Sequence, residues 1–163
     1  MPPQKKRPGH VGAQKPRAAD QNQAHFPKYA KAMTRARDRF RQAENDLDLA
    51  RLAREAGRHE WACFAAQQGA EKAVKALHLH LGQEAWGHTV AKLLKELPIE
   101  VPGQLIEEAK FLNAYYVPTR NPDAFAEGIP AEHYGPLQSE EAIRHAGAVL
   151  DFVRAQMAEP GRG

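Results

Sequence analysis

Residues 61–82 read WACFAAQQGAEKAVKALHLHLG, and this stretch decides the fold. It holds no proline and is dominated by alanine, the residue that forms helix most readily. On a wheel of about 100° per residue, Ala62, Ala65, Ala66, Gly69, Ala70, Ala73, Leu77 and Leu81 fall on one face. Small side chains let neighbouring helix axes come close, so the spacing predicts a central helix from about Glu60 to Leu81. Gly82 ends it at a C′ position. The opposite side carries Gln68, Glu71, Lys72, Lys75 and His78, with Glu71 and Lys75 as a favourable i,i+4 pair.

Working outward, the same periodicity recurs on both sides. A helix from about Ala30 to Ala56 precedes it, with Phe40, Ala43, Leu47, Ala50 and Ala53 as its stripe and Gly57 as its stop. Arg35, Arg37, Arg39 and Arg41 alternate around that helix and read as a solvated face. Downstream, a short helix from His88 to Leu97 carries Val90, Leu93, Leu94 and Leu97, and Pro98 stops it. A fourth runs from near Pro102 to about Tyr116 on Leu105, Ile106, Ala109 and Leu112. Pro118, Pro122, Gly128 and Pro130 then forbid regular helix. Ser139 reads as the N-cap of a last helix reaching about Met157 on Ala142, Ala146, Val149, Leu150 and Val153. The expectation is an all-α, up-and-down bundle of four or five helices without strands.

The 163 residues suit one domain with tails. Residues 1–24 are rich in Pro, Gly and Gln, and hold Lys5, Lys6, Arg7, Lys15 and Arg17 against Asp20. They therefore carry +4 of a chain whose total is +3, and the rest carries −1. The alkaline balance belongs to a tail too poor in apolar residues to fold alone. This gives a disordered basic tail (1–24), a bundle (25–158) and a flexible C-terminus (159–163). The tail is solvated or an electrostatic arm for nucleic acid. One cysteine, Cys63, excludes an internal disulfide and a cysteine zinc site. No secretory signal or membrane span is legible, and a reducing cytoplasmic setting is expected.

Three segments together resemble the HEPN domain family. Gln68, Glu71, Lys72, Lys75, Ala76 and Leu77 match its Gln-x-x-Glu-Lys-x-x-Lys-Ala-Leu helix. GHTVAKLLKEL, with His88, is similar to its next element. Tyr116, Arg120, Pro122 and Asp123 match its Tyr-x-x-x-Arg-Tyr-Pro-Asp segment, with Asn121 where the family has tyrosine. The likeness spans about residues 34–157. It implies a helical bundle, frequent homodimers and binding of nucleotides or nucleic acid. Some members are RNases, in toxin–antitoxin pairs among other settings. Others are partner subunits of small nucleotidyltransferases.

The RNase members use an Arg with a His four to six residues on, and after Arg120 the next histidine is His133. The string from Arg54 to His59 has that spacing but straddles the Gly57 turn. No catalytic residue is therefore assigned, and an enzyme is disfavoured. No metal is expected either, since His78 and His80 point to different sides of a helix and His80 reads as a core or dimer-interface histidine. No cofactor is implied.

The candidate ligand set is Lys72, Lys75, His88, Tyr115, Tyr116 and Arg120, with Gln68, Glu71 and Asp123 orienting it. Cations hold phosphate, arginine through its planar fork, and tyrosines stack on bases. The competing structural reading makes Glu71–Lys75 a surface pair, has Arg120 and Asp123 staple the loop, and places the tyrosines in the core. Three functions follow: a noncatalytic binding module, a divergent RNase using His88 or His133 with Arg120, and a dimerisation or regulatory protein without ligand.

Overall fold

The computed structural model describes residues 18–116 and 118–158, with side chains described from residue 27 onward. Every regular element is helical: α1 (Ala18–Glu55), α2 (His59–His80), α3 (Val90–Lys95), α4 (Gly103–Asn113), α5 (Pro130–His133) and α6 (Pro136–Ala158). A single 3-10 turn, Pro122–Ala124, lies between α4 and α5. Helix α2 is the hub. It packs most extensively on α1 and next on α6, while α3 and α4 close the remaining sides. Among the described residues, no helix is long and apolar enough to cross a membrane.

The alanine face works as its composition predicts. Ala65, Ala66, Ala70 and Ala73 of α2 share one buried cluster with Phe40, Ala43, Leu47 and Ala50 of α1, and Ala62 is buried too. Gly69 marks a close approach of α2 to α1: a Cβ there would lie 3.1 Å from the Ala43 carbonyl oxygen and 3.5 Å from the Leu47 nitrogen. Both expected glycine stops are present, at φ of 73° for Gly57 and 78° for Gly82. Each closes a Schellman motif. Arg58 donates to the Ala53 carbonyl and Gly57 to that of Arg54, while Gln83 donates to His78 and Gly82 to Leu79.

Several boundaries differ from the sequence expectation. Helix α1 starts at Ala18, although Pro27 inside it donates no backbone bond. Extending an established helix fixes one residue per bond, far less costly than nucleating one, so the alanine-containing stretch continues the stable segment behind it. Of the residues expected in the tail, 18–24 belong to α1, while 1–17, like 159–163, lie outside the described residues. Helix α4 stops at Asn113 rather than Tyr116. The proline-rich stretch expected to hold no helix contains two single turns, each opened by a proline at its first position. Helix α6 likewise opens at Pro136, so Ser139 lies inside it and is not its N-cap. The Ser139 hydroxyl is buried, donates to the Pro136 carbonyl, and lies 2.8 Å from His59 Nδ1, which donates to it.

The buried histidine of α2 is His78, not His80. Its Nε2 donates to the Leu93 carbonyl at 2.8 Å and its Nδ1 meets the Gln83 side chain at 3.1 Å, which ties α2 to α3. His80 is half-buried, and its imidazole is pushed below the ordinary range by burial and then by Arg37. A helix ringed on several sides has little solvated face, which is why a residue on the polar side of the wheel lies inside.

Candidate functional site

The polar stripe of α2 gives the rim its scaffold. Glu71 is buried, with 5% of its side chain exposed, and three donors converge on its carboxylate. Lys75 Nζ reaches Oε1 at 3.2 Å, His88 Nδ1 reaches the same oxygen at 2.5 Å, and Gln68 Nε2 reaches Oε2 at 3.1 Å. A buried carboxylate is tolerated only when its lone pairs are used in this way. The loop before α3 is held from below as well, because the buried Gln67 amide donates to the His88 carbonyl at 3.0 Å.

With Nδ1–H on Glu71, the His88 ring turns its Nε2 away from that carboxylate, and 55% of the side chain is exposed. Its ring stacks on Tyr116, with centroids 4.4 Å apart and planes 12° from parallel. Tyr116 in turn orients Arg120. The Arg120 Nε and Nη2 both donate to the Tyr116 carbonyl, at 3.1 and 3.0 Å. The guanidinium carbon lies 4.2 Å from the Phe64 ring centre and 5.0 Å from that of Tyr116. Such cation–aromatic contacts contribute about 0.5–1 kcal/mol each when exposed. One edge of the guanidinium is thereby occupied, and the Nη1–Nη2 edge remains for a ligand.

Of the six candidate residues, four fall into one chain of contacts: Arg120 to Tyr116, Tyr116 to His88, and His88 through Glu71 to Lys75. Gln68 and Glu71, named as orienting residues, contact each other, and Glu71 also contacts Lys75 and His88. Two candidates lie elsewhere. Lys72 is drawn to α1, where it pairs with Asp46, itself also bound by Gln42. Tyr115 is buried in the core, edge-on to Tyr134, and burial first, then Cys63, Glu141 and Tyr134, pushes its hydroxyl up to about 12. In the turn after α4 the two adjacent tyrosines point apart, Tyr115 toward Tyr134 and Tyr116 toward His88. Asp123 is exposed and forms no ion pair with Arg120 among the described residues. The loop is fastened instead by Asn121, whose side chain accepts from the Asp123 backbone, and by buried Thr119, which donates to the Tyr115 carbonyl at 2.6 Å.

The other histidines have separate contacts. His133 Nε2 donates to the Glu127 carbonyl and its ring stacks on Phe125. Arg54 lies 3.5 Å from Glu140 and His59 contacts Ser139, so that pair braces the first turn against α6. Sequence reasoning missed Phe64 and Trp61, whose rings meet edge to face at 6.1 Å. The signal was present: carrying the stripe of Gln68 and Lys75 back toward the start of α2 lands on both.

Residues 36–156 match the HEPN domain family. Three solved structures are similar over nearly their whole length. The protein TT1696 from Thermus thermophilus is 49% identical, with a TM-score of 0.74, covering 75% of this chain and 98% of that one. The archaeal HEPN homologue ST0689 is 40% identical at a TM-score of 0.66, over 75% and 97%. The HEPN domain protein tm0613 from Thermotoga maritima is 32% identical at 0.61, over 76% and 99%. No curated protein matches the chain. On the family match and these likenesses, spanning the hub helix and the rim alike, the chain belongs to the HEPN domain family.

Proposed function

We propose that the chain is a noncatalytic binding module for a nucleotide or nucleic acid, whose phosphate rests on Arg120. The observation that carries this reading is the posture of that arginine. One edge is fixed by the Tyr116 carbonyl, its face lies against Phe64, and it stands beside an exposed imidazole with a cation behind. A guanidinium held in place loses less freedom on binding than a loose one, and its free edge matches two phosphate oxygens. Calorimetric titration with ATP, GTP and short single-stranded RNA tests it. Binding should weaken at least about tenfold in Arg120→Ala, the loss of roughly 1.4 kcal/mol or more. Equal binding by the variant, or none by the parent, removes the reading.

A second reading, a divergent RNase, is favoured by one observation. Glu71 fixes the tautomer of His88 and leaves Nε2 free, the arrangement of a general base with its orienting carboxylate. The stacking of His88 on Tyr116, whose carbonyl holds Arg120, supports His88 rather than His133 as the partner of that arginine. Cleavage of single-stranded RNA, lost alike in His88→Ala and Arg120→Ala, would establish this reading in place of the first. Family membership also suggests a homodimer and a small nucleotidyltransferase as partner. Mass measurement in solution and co-purification with a nucleotidyltransferase encoded next door test these.

A further inference from the structure

Between α1 and α2 runs an open groove of about 390 Å³, within the range of about 300–1,000 Å³ usual for small-molecule clefts. Leu49 and Ala53 form one wall, and Trp61, Phe64 and Ala65 the other. Leu49 and Trp61 are each more than half exposed. Among the described residues, an aromatic and an aliphatic side chain thus face water across an apolar cleft.

Two features connect this slot to the rim. Phe64 belongs to both, since it lines the groove while the Arg120 guanidinium lies over its ring. The far end of the groove is polar and asymmetric. Gln68 spends both amide hydrogens, on Gln67 Oε1 at 2.7 Å and Glu71 Oε2 at 3.1 Å, so its carbonyl oxygen is left as an acceptor. Lys72, held there by Asp46, is a donor. An acceptor beside a donor complements the edge of a nucleobase, where N–H and C=O or ring nitrogen stand side by side. The Asp46–Lys72 contact, unexplained by the phosphate rim, belongs to this end.

We infer that the α1–α2 groove is the base subsite of the site proposed above: a nucleobase stacks on Trp61 and meets Phe64 at its edge, and its own phosphate reaches Arg120. The inference rests on that proposal and extends it from an anion rim to a nucleoside phosphate. The nucleotide is either free or an unpaired residue of a strand. Stacking of this kind requires no particular sequence.

Trp61 itself reports on the test. In the full chain carrying Trp86→Phe, it is the sole tryptophan. Its fluorescence is followed during titration with GMP, AMP, ribose 5-phosphate and a single-stranded RNA hexamer. Quenching by the mononucleotides and not by ribose 5-phosphate is expected, and the hexamer distinguishes a strand ligand by quenching at lower concentration. Leu49→Glu, on an exposed position of the wall, should weaken the quenching compounds about tenfold or more and leave ribose 5-phosphate binding, followed by calorimetry, within twofold. Nucleotide binding that is lost in Arg120→Ala yet unchanged in Leu49→Glu, without quenching, overturns the groove and spares the rim. Quenching that survives Arg120→Ala unchanged keeps the groove and removes the rim. Absence of binding by every phosphate compound removes both.

Discussion

Glu71 and His88 are joined by a contact of 2.5 Å between a carboxylate on the hub helix and an imidazole on the loop before α3. One partner is buried and the other exposed, so the bond transmits the order of the core to the surface. Replacing Glu71 by glutamine keeps the shape and removes the charge that Lys75, His88 and Gln68 share. Hydrogen bonds to a charged group contribute about 1.5–3 kcal/mol, and Glu71→Gln should cost about that much in urea unfolding. A loss below about 0.5 kcal/mol would mean that the cluster is not held by that charge.

Gly69 tests the packing of the hub. Alanine raises helix propensity there by about 1 kcal/mol. Against that gain, its methyl would meet the Ala43 carbonyl at 3.1 Å, and backbone yields less readily than a side chain. Gly69→Ala should therefore lower the unfolding midpoint, and Gly69→Val should lower it further. A stabilised alanine variant would show that the α1 backbone does not crowd α2 here.

Alkali should weaken the core. Burial, and then Glu60, pushes the Cys63 thiol from 9.0 up to about 12, and burial carries the Tyr115 hydroxyl from 10.0 to about 12. Both stay neutral in the folded chain while the unfolded chain ionises first. Raised acid groups give stability that is complete below their unfolded values and lost as pH rises toward the folded ones. The urea midpoint should fall progressively between about pH 9 and about pH 12, and less steeply in Cys63→Ala. A flat midpoint across that window would contradict the burial of these groups.

The fold was legible because its cause is local: alanine spacing on α2, glycine stops at Gly57 and Gly82, and periodic leucines need no knowledge of partners. The rim was legible in part. Lys72 and Lys75 are three residues apart and neighbours on a wheel, yet one faces Asp46 of α1 and the other Glu71 of its own helix. Only tertiary packing separates them. Tyr115 and Tyr116 differ for the same reason, as one turns into the core and the other onto His88. His78 lay on the polar side of the wheel and is buried, because α3 covers that side. Asn121 stands where the family has an aromatic, and its side chain caps the 3-10 turn by accepting from Asp123.

The ring signals of His88 give the shortest route to the central claim. It stacks on the tyrosine whose carbonyl fixes Arg120, so a phosphate seated on that arginine alters the field at the imidazole. Titrating the labelled chain with GTP should move the His88 resonances in a saturable way, and Arg120→Ala should abolish the movement. His88 signals that stay fixed at saturating nucleotide, or that move identically in the variant, would contradict a phosphate at this rim.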